Sequence, residues 1–561
     1  MGKNRWQKHY PSGIEFEVDP GRYTSVPELL EQSVKKYGVR TAYVNFGKKI
    51  SFLELDKLSE DFAAYLQNSG LNPGDRIAIQ MPNVLQYPVV LFGALRAGLI
   101  VVNTNPLYTS REMEHQFKDA GVKAIVILAN FASNLERILS RTNIQHVFIT
   151  EMGDLVGGFK GDLINFIVRR VKKMVPSYHI PIGFKLKKAL RDGRHLKFTP
   201  PPIKNSDIAF LQYTGGTTGI SMGAVLTHKN IISNMLQIRE WMKPGLRELE
   251  EVAITALPMY HIFALTVNCL CMLQLGAENI LITNPRDLES FIRELKKYPF
   301  TFITGVNTLF NALLNHPKFT EINFGHLKVS VGGGMAVQQK VAEKWEKLTK
   351  CPLVEGYGLS ETSPVLSCNP IDGTHRIGTI GLPLSSTQLT IRDDDGKELP
   401  MGKAGEICAR GPQVMKGYWN REDDTKNAFF EGNWFRTGDI GLMNEDGFFK
   451  IIDRKKDMII VSGFNVYPNE IEEIVSQLEG VLEVAAIGVP DESTSEKVKL
   501  YVVKKDQDLT ADMIIKHCKE NLTNYKIPKQ VEFVTELPKS NVGKIIRRLL
   551  REKEPVNRDF S

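Results

Sequence analysis

Apolar residues recur along this chain in two periods. Over residues 25–37 and 52–66 they fall at helical spacing, the first stretch beginning with a serine able to cap and a proline suited to a first turn. Residues 76–81, 124–128 and 208–211 are instead short continuous apolar runs, the pattern of strands buried on both faces. Their alternation over the first 150 residues predicts an α/β domain. The last hundred residues alternate again. A strand over 461–466 carries a glycine turn, Pro468 opens a helix through 478, and strands follow at 484–489 and 499–503.

At 561 residues with 42% hydrophobic content, the chain is long enough for more than one domain with large cores. Its most lipid-like run, 88–102, is too short to span a bilayer and is broken by Arg96. The N-terminus lacks the apolar core of a signal peptide, and Trp6 stands where myristoylation favours Ser or Thr. Six cysteines (269, 271, 351, 368, 408 and 518) form no C-x-x-C pair and no metal spacing, which suits a reducing cytoplasm.

The formal charge of +7 is local: residues 159–197 hold eleven Lys/Arg against two Asp/Glu, so the remainder of the chain is slightly acidic. Within that segment Leu163, Ile164, Ile167, Val171 and Met174 fall at helical spacing among Arg169, Arg170, Lys172 and Lys173. The segment reads either as a basic amphipathic helix for an anionic membrane surface or as a solvated face packed on its domain. Few aromatics are arranged for stacking, so nucleic acid is not the expected partner.

Candidate chemistry begins at residues 213–223, Tyr-Thr-Gly-Gly-Thr-Thr-Gly-Ile-Ser-Met-Gly. Glycines 215, 216 and 219 let backbone N–H groups approach an anion, and Thr214, Thr217 and Thr218 add hydroxyl donors without bulk. It is not a Walker loop, because no G-x-x-x-x-G-K-[ST] occurs in the chain. Further on come Tyr260-His261 after a proline, a strand ending in Gly333-Gly334, and Glu355-Gly-Tyr357-Gly358-Leu-Ser360-Glu361-Thr. In the last of these, the glycines free the Tyr357 ring to lie against a flat base, and Glu361 offers the hard oxygen that Mg²⁺ prefers. Trp434-Phe-Arg-Thr-Gly-Asp439 leads to Asp453-Arg454-Lys-Lys456-Asp and then to Ser462-Gly463. Asp439 can accept two ribose hydroxyls and Arg454 can brace the same sugar. Lys544 follows a glycine near the end, where a compact charge can be carried in and out of a site.

In order and spacing these motifs resemble the adenylate-forming superfamily, and within it the bacterial long-chain fatty-acid CoA ligases, over nearly the whole chain. The resemblance implies a large N-terminal adenylation domain, residues 1–455, of helix-flanked sheets and a distorted β-barrel. A small mobile α/β domain, 456–561, would hinge at Lys456. It implies ATP, Mg²⁺ on Glu361, coenzyme A and a long-chain fatty acid. Thr214, Gly215, Gly216, Thr217, Thr218, Gly219, Gly333, Gly334, Tyr357, Gly358, Ser360, Asp439 and Arg454 would hold the nucleotide, His261 and Lys544 would act on the reacting groups, and Ser462 and Gly463 would admit the pantetheine arm. The implied location is cytoplasmic, with peripheral membrane contact through 159–197; a homodimer is left open. Two other readings are an acyl-AMP ligase that loads a carrier protein, and a weakened nucleotide- or lipid-binding paralogue. The second is motivated by Met222, which occupies the place of the family's usual loop lysine. Activity is expected to be retained but weakened, with Met222→Lys restoring ATP use unless another cation already serves there.

Overall fold

The computed structural model describes residues 5–215, 221–491, 493–540 and 543–554. Two large sheets carry most of the chain. The first has seven strands, in the order Gly183–Lys185, His146–Thr150, Val122–Leu128, Arg76–Gln80, Ile100–Asn103, Ile208–Gly215, Ser221–Thr227. All are parallel except the closing hairpin, in which Thr214 pairs with Met222 and Gly215 with Ser221. The second sheet has nine strands. At its heart Leu353–Gly358, Val329–Gly333, Phe302–Gly305, Val252–Thr255, Glu278–Leu281 and Thr41–Asn45 run parallel. The continuous apolar runs are the central strands, because helices cover both faces of a parallel sheet.

The covering helices follow local signals in the sequence. Ser25 caps Val26–Tyr37 by accepting from the Glu28 N–H, and Pro27 sits in its first turn; Val26, Leu29, Leu30, Val34 and Tyr37 are buried. Phe52–Asn68 opens with a complete Ser51/Glu54 capping box. The lipid-like run divides into a helix, Gln86–Arg96, and a strand, Ile100–Asn103, with buried Arg96 paired to Asp56. No helix among the described residues is long and apolar enough to cross a membrane. All six cysteines are buried and free.

The basic segment resolves into two unlike halves. Gly158–Phe166 and the wider turn Ile167–Val171 form one helical rod with only Gly161 buried, leaving Phe159, Leu163, Phe166, Val171 and, beyond the rod, Met174 exposed. Leu186–Gly193 instead buries Leu186, Ala189 and Leu190 against the helix Phe52–Asn68, so close that a Cβ on Gly193 would lie 1.9 Å from the Asp61 carbonyl. Open amphipathic face and packed solvated face both occur, in sequence.

Two smaller sheets complete the chain. Gln388–Arg392, Gly405–Arg410, Trp434–Met443, Phe429–Phe430 and Phe449–Arg454 form an antiparallel five-stranded sheet, which ends at Arg454. The next strand, Ile459–Val461, belongs to a separate sheet with Phe464–Val466, Ser495–Lys504, Val481–Asp491 and Gln530–Val534. That last unit has its own apolar core, including Ile459, Val466, Ile471, Leu500 and Val502. It meets the larger body partly through polar contacts: Asn311 Nδ2 donates to the Leu482 carbonyl at 3.1 Å, and Thr308 Oγ1 to the Gly543 carbonyl at 3.0 Å. Polar contacts of this kind can be exchanged with water at little cost, which favours relative motion.

Candidate active site

The carboxyl ends of the parallel strands of both large sheets, at Asn103, Thr214, Gly334 and Gly358, open on one cavity of about 1570 Å³. Ligands commonly bind at such strand ends, and the volume exceeds the roughly 300–1,000 Å³ of a drug-sized site. Most of the residues picked out in the sequence line it: Thr214, His261, Gly334, Tyr357, Gly358, Ser360, Glu361, Asp439, Arg454, Lys456 and Lys544.

Glu361 lies in the short turn Ser360–Thr362 directly after the strand Leu353–Gly358. Its Oε1 accepts from Thr214 Oγ1 at 3.4 Å and from the Tyr418 hydroxyl at 3.0 Å, and the residue is only 8% exposed. Tyr418 had no motif to announce it; it reaches Glu361 because the loop after Pro412 docks beside the hairpin, where Lys416 N–H donates to the Val225 carbonyl and Trp419 N–H to the Gly223 carbonyl. Loop residues 216–220, which carry Gly216, Thr217, Thr218 and Gly219, lie outside the described residues. Its stem is described, and there Ser221 Oγ donates to the Thr214 carbonyl at 2.7 Å.

Asp439 is the centre of a second cluster. Its Oδ2 accepts from the Tyr357 hydroxyl at 2.7 Å and its Oδ1 faces Arg454 Nε at 3.1 Å, across the paired strands on which Asp439 and Arg454 stand opposite each other. The carboxylate raises the Arg454 pKa above its ordinary value. The sequence pairs Asp439 with Arg454 but does not announce the Tyr357 hydroxyl as a donor to the second Asp439 oxygen.

Lys544 is delivered by the small unit. Its loop is braced locally, the Gly543 N–H donating to the Ser540 carbonyl at 2.9 Å and the Ser540 N–H to the Lys544 carbonyl at 2.7 Å. The side chain passes Gly334, whose φ is +78°, so closely that a Cβ there would lie 3.2 Å from Lys544 Cε. Desolvation and the neighbouring Arg454 charge pull the Lys544 pKa down to about 8, against the opposing pull of Asp439 and Glu361. His261, at the start of the helical stretch after Val252–Thr255, is held near 3 by desolvation and by the Lys544 charge. It is therefore neutral, and its Nδ1 accepts from the Phe263 N–H at 3.3 Å, which makes Nε2 the protonated nitrogen and a neutral donor.

Gly333 ends its strand without lining the cavity; a Cβ there would meet the Phe263 ring at 2.9 Å and the Gly356 carbonyl at 3.1 Å. A Cβ on Gly358 would lie 1.9 Å from the Pro364 carbonyl. Ser462 and Gly463 are not brought to the cavity: with φ of 51° and 80° they form the exposed tip of the hairpin between Ile459–Val461 and Phe464–Val466. Away from the polar groups the cavity continues into an apolar arm lined by Ile238, Trp241, Met242, Val267, Val331 and Leu384. Trp241 is fully buried and is backed by Tyr10 from the N-terminal segment, ring centroids 5.0 Å apart and edge to face. This floor has no sequence signature, because its two rings are more than two hundred residues apart.

One cavity that gathers the Tyr357–Asp439–Arg454 cluster and a lysine from a second unit fits an adenylate-forming architecture, and residues 30–419 match the AMP-binding enzyme family and 470–544 the AMP-binding enzyme C-terminal domain. The chain belongs to this family of AMP-binding enzymes. It is 54% identical to a long-chain-fatty-acid–CoA ligase of Salmonella typhimurium over 552 residues, 98% of each chain, and 51% identical to one of Haemophilus influenzae over 99% of each. The crystal structure of an anthranilate CoA ligase in complex with anthranoyl-AMP superposes with a TM-score of 0.84 at 23% identity, covering 95% of this chain and 98% of the other, a likeness of fold.

Proposed function

We propose that this chain activates long-chain fatty acids in two steps: the carboxylate attacks the α-phosphorus of ATP to give acyl-AMP and pyrophosphate, and the CoA thiol then displaces AMP. The observation that carries the proposal is the convergence of Lys544, Glu361 and the Tyr357–Asp439–Arg454 cluster on one cavity that runs on into an apolar arm. A carboxylate and a triphosphate repel each other, so the first step needs positive charge at their meeting point and a fixed approach. Lys544 supplies the charge. His261 Nε2–H donates to the carboxylate without adding charge of its own. Asp439 accepts from the ribose hydroxyls with Arg454 bracing it, Tyr357 and Gly358 hold the base, and Thr214, Ser360 and the glycine-threonine loop hold the departing pyrophosphate. Glu361 has the donor chemistry for Mg²⁺, which takes one or two carboxylates plus nucleotide phosphates and would neutralise phosphate charge here.

For the second step the small unit rotates about Lys456, withdrawing Lys544 and carrying the exposed Ser462-Gly463 tip over the cavity. The change of sheet between Arg454 and Ile459 supports a hinge at Lys456. The exposed apolar rod of Gly158–Phe166 and Ile167–Val171, with Arg170, Lys172 and Lys173 beside it, contacts the anionic face of a membrane, where fatty substrate collects. Incubation with ATP, Mg²⁺ and palmitate, with and without CoA, tests the reading. Pyrophosphate release followed by CoA-dependent release of AMP is expected. Pyrophosphate without CoA-dependent AMP would point to carrier loading, and neither product would reject activation altogether.

A further inference from the structure

Met222 leaves the phosphate loop without its expected cation, and the helix Ser110–Ala120 brings a basic residue, Arg111, to the same cavity. Capped by Thr109, this helix presents Arg111 and His115, one turn apart on one face, to the same cavity as Thr214, Ser221 and Met222. The register is fixed at two points: His115 Nε2 lies 3.1 Å from the Ser221 carbonyl, and Tyr108, just before the helix, faces Ser221. Arg111 falls between these two anchors, and Ser221 is the residue beside Met222. The acids around it are occupied. Glu112 is held by the Thr109 N–H and hydroxyl at 2.8 Å, Glu114 by Lys118 and Arg141, and Asp119 by Tyr213 and Arg421. Of the other cations lining the cavity, Arg436, Arg454, Lys455, Lys539 and Arg548 each have a carboxylate within 4 Å, whereas Lys456 and Lys544, at the hinge and the reacting groups, have none among the described residues. Arg111 is exposed and has no such partner among the described residues. A guanidinium without a carboxylate, on a cavity that Thr214 and Ser221 also line, has its donor fork free for phosphate oxygens.

We propose that Arg111, seated by His115 and Tyr108, is the cation that binds the β- and γ-phosphates of ATP, and then pyrophosphate, in place of a lysine at position 222. The proposal rests on the nucleotide reading of the cavity and concerns only the part of ATP that AMP lacks. The test is titration calorimetry with ATP, pyrophosphate and AMP on the full chain, beside the KM for ATP in pyrophosphate exchange. Arg111→Gln should weaken ATP and pyrophosphate by roughly 10- to 100-fold, the span of a charge-assisted hydrogen bond, and leave AMP unchanged. Arg111→Lys should keep most of the affinity. Met222→Lys should recover most of the loss in the Arg111→Gln background, since one cation substitutes for the other. An Arg111→Gln variant with wild-type ATP affinity would overturn the proposal, as would parallel loss of AMP affinity or a rise confined to the KM for CoA. Because binding is read without turnover, an inactive wild-type protein that binds ATP more tightly than AMP through Arg111 would reject the catalytic reading and leave this one standing.

Discussion

Replacing Lys544 should separate the two proposed half-reactions. Its ammonium is held at a pKa of about 8, against an ordinary value near 10.4. The free enzyme therefore carries the charge on about nine molecules in ten at pH 7 and about one in ten at pH 9. If the charged form performs adenylation, kcat/KM for ATP must fall by close to tenfold over that interval, because this ratio reports the free enzyme. Bound triphosphate adds negative charge beside the ammonium and raises its pKa, so kcat should stay level to higher pH than kcat/KM. Lys544→Ala should lower adenylation by at least ~10²-fold, the cost of losing one preorganised stabiliser, and should remove the alkaline limb. Pyrophosphate exchange across pH 6.5–9.5 reads both effects. Attack of CoA on supplied acyl-AMP, followed as AMP release, should stay within a few-fold of wild type. The same residue sets a stability sign. A lysine whose folded pKa is lowered is penalised while it is protonated, so the penalty is full below about pH 8 and gone above about 10.5. The alanine variant should thus melt higher than wild type at pH 7, and the gain should vanish at high pH. Equal loss in both half-reactions, or an alkaline limb that survives in the variant, would refute this account of Lys544.

Three further outcomes are expected. Gly463→Leu should spare pyrophosphate exchange and slow CoA-dependent AMP release, since the tip is exposed here and the proposed rotation brings it to the cavity only for the second step; slowing of exchange alone would contradict the rotation. Trp241→Ala should move the chain-length optimum beyond that of wild type by opening the floor of the apolar arm, with about 3–5 kcal/mol lost from stability; an unchanged profile of kcat/KM against chain length would place the arm's end elsewhere. Flotation with anionic vesicles should show binding at low salt that is lost at high salt and on replacing Arg169, Arg170, Lys172 and Lys173 together, each basic residue contributing about 1 kcal/mol near the surface; binding that survives replacement would remove the rod from the membrane reading.

Local physics made much of this protein readable from its sequence. Ser25, Pro27 and the Ser51/Glu54 box define helix starts through neighbours a few residues away, and the apolar runs at 76–81 and 124–128 declare strands buried on both faces. The motifs around Thr214, Tyr357, Glu361, Asp439, Arg454 and Lys544 were likewise legible, because each needs glycines, hydroxyls or charges at fixed short spacing. Most of them line one cavity. What the sequence left open depends on contacts between distant segments. Residues 159–197 have one composition but two fates, since burial of Leu186 and Leu190 is decided by the helix Phe52–Asn68 and exposure of Phe159 and Phe166 by the lack of any such neighbour. Tyr418 on Glu361, the Tyr357 hydroxyl on Asp439, Tyr10 behind Trp241, and Arg111 and Met222 on one cavity join residues that no local pattern links. Hydrophobic periodicity fixes which face of an element turns inward. Only the packed chain decides which other element that face meets, and so which distant side chains share a cavity.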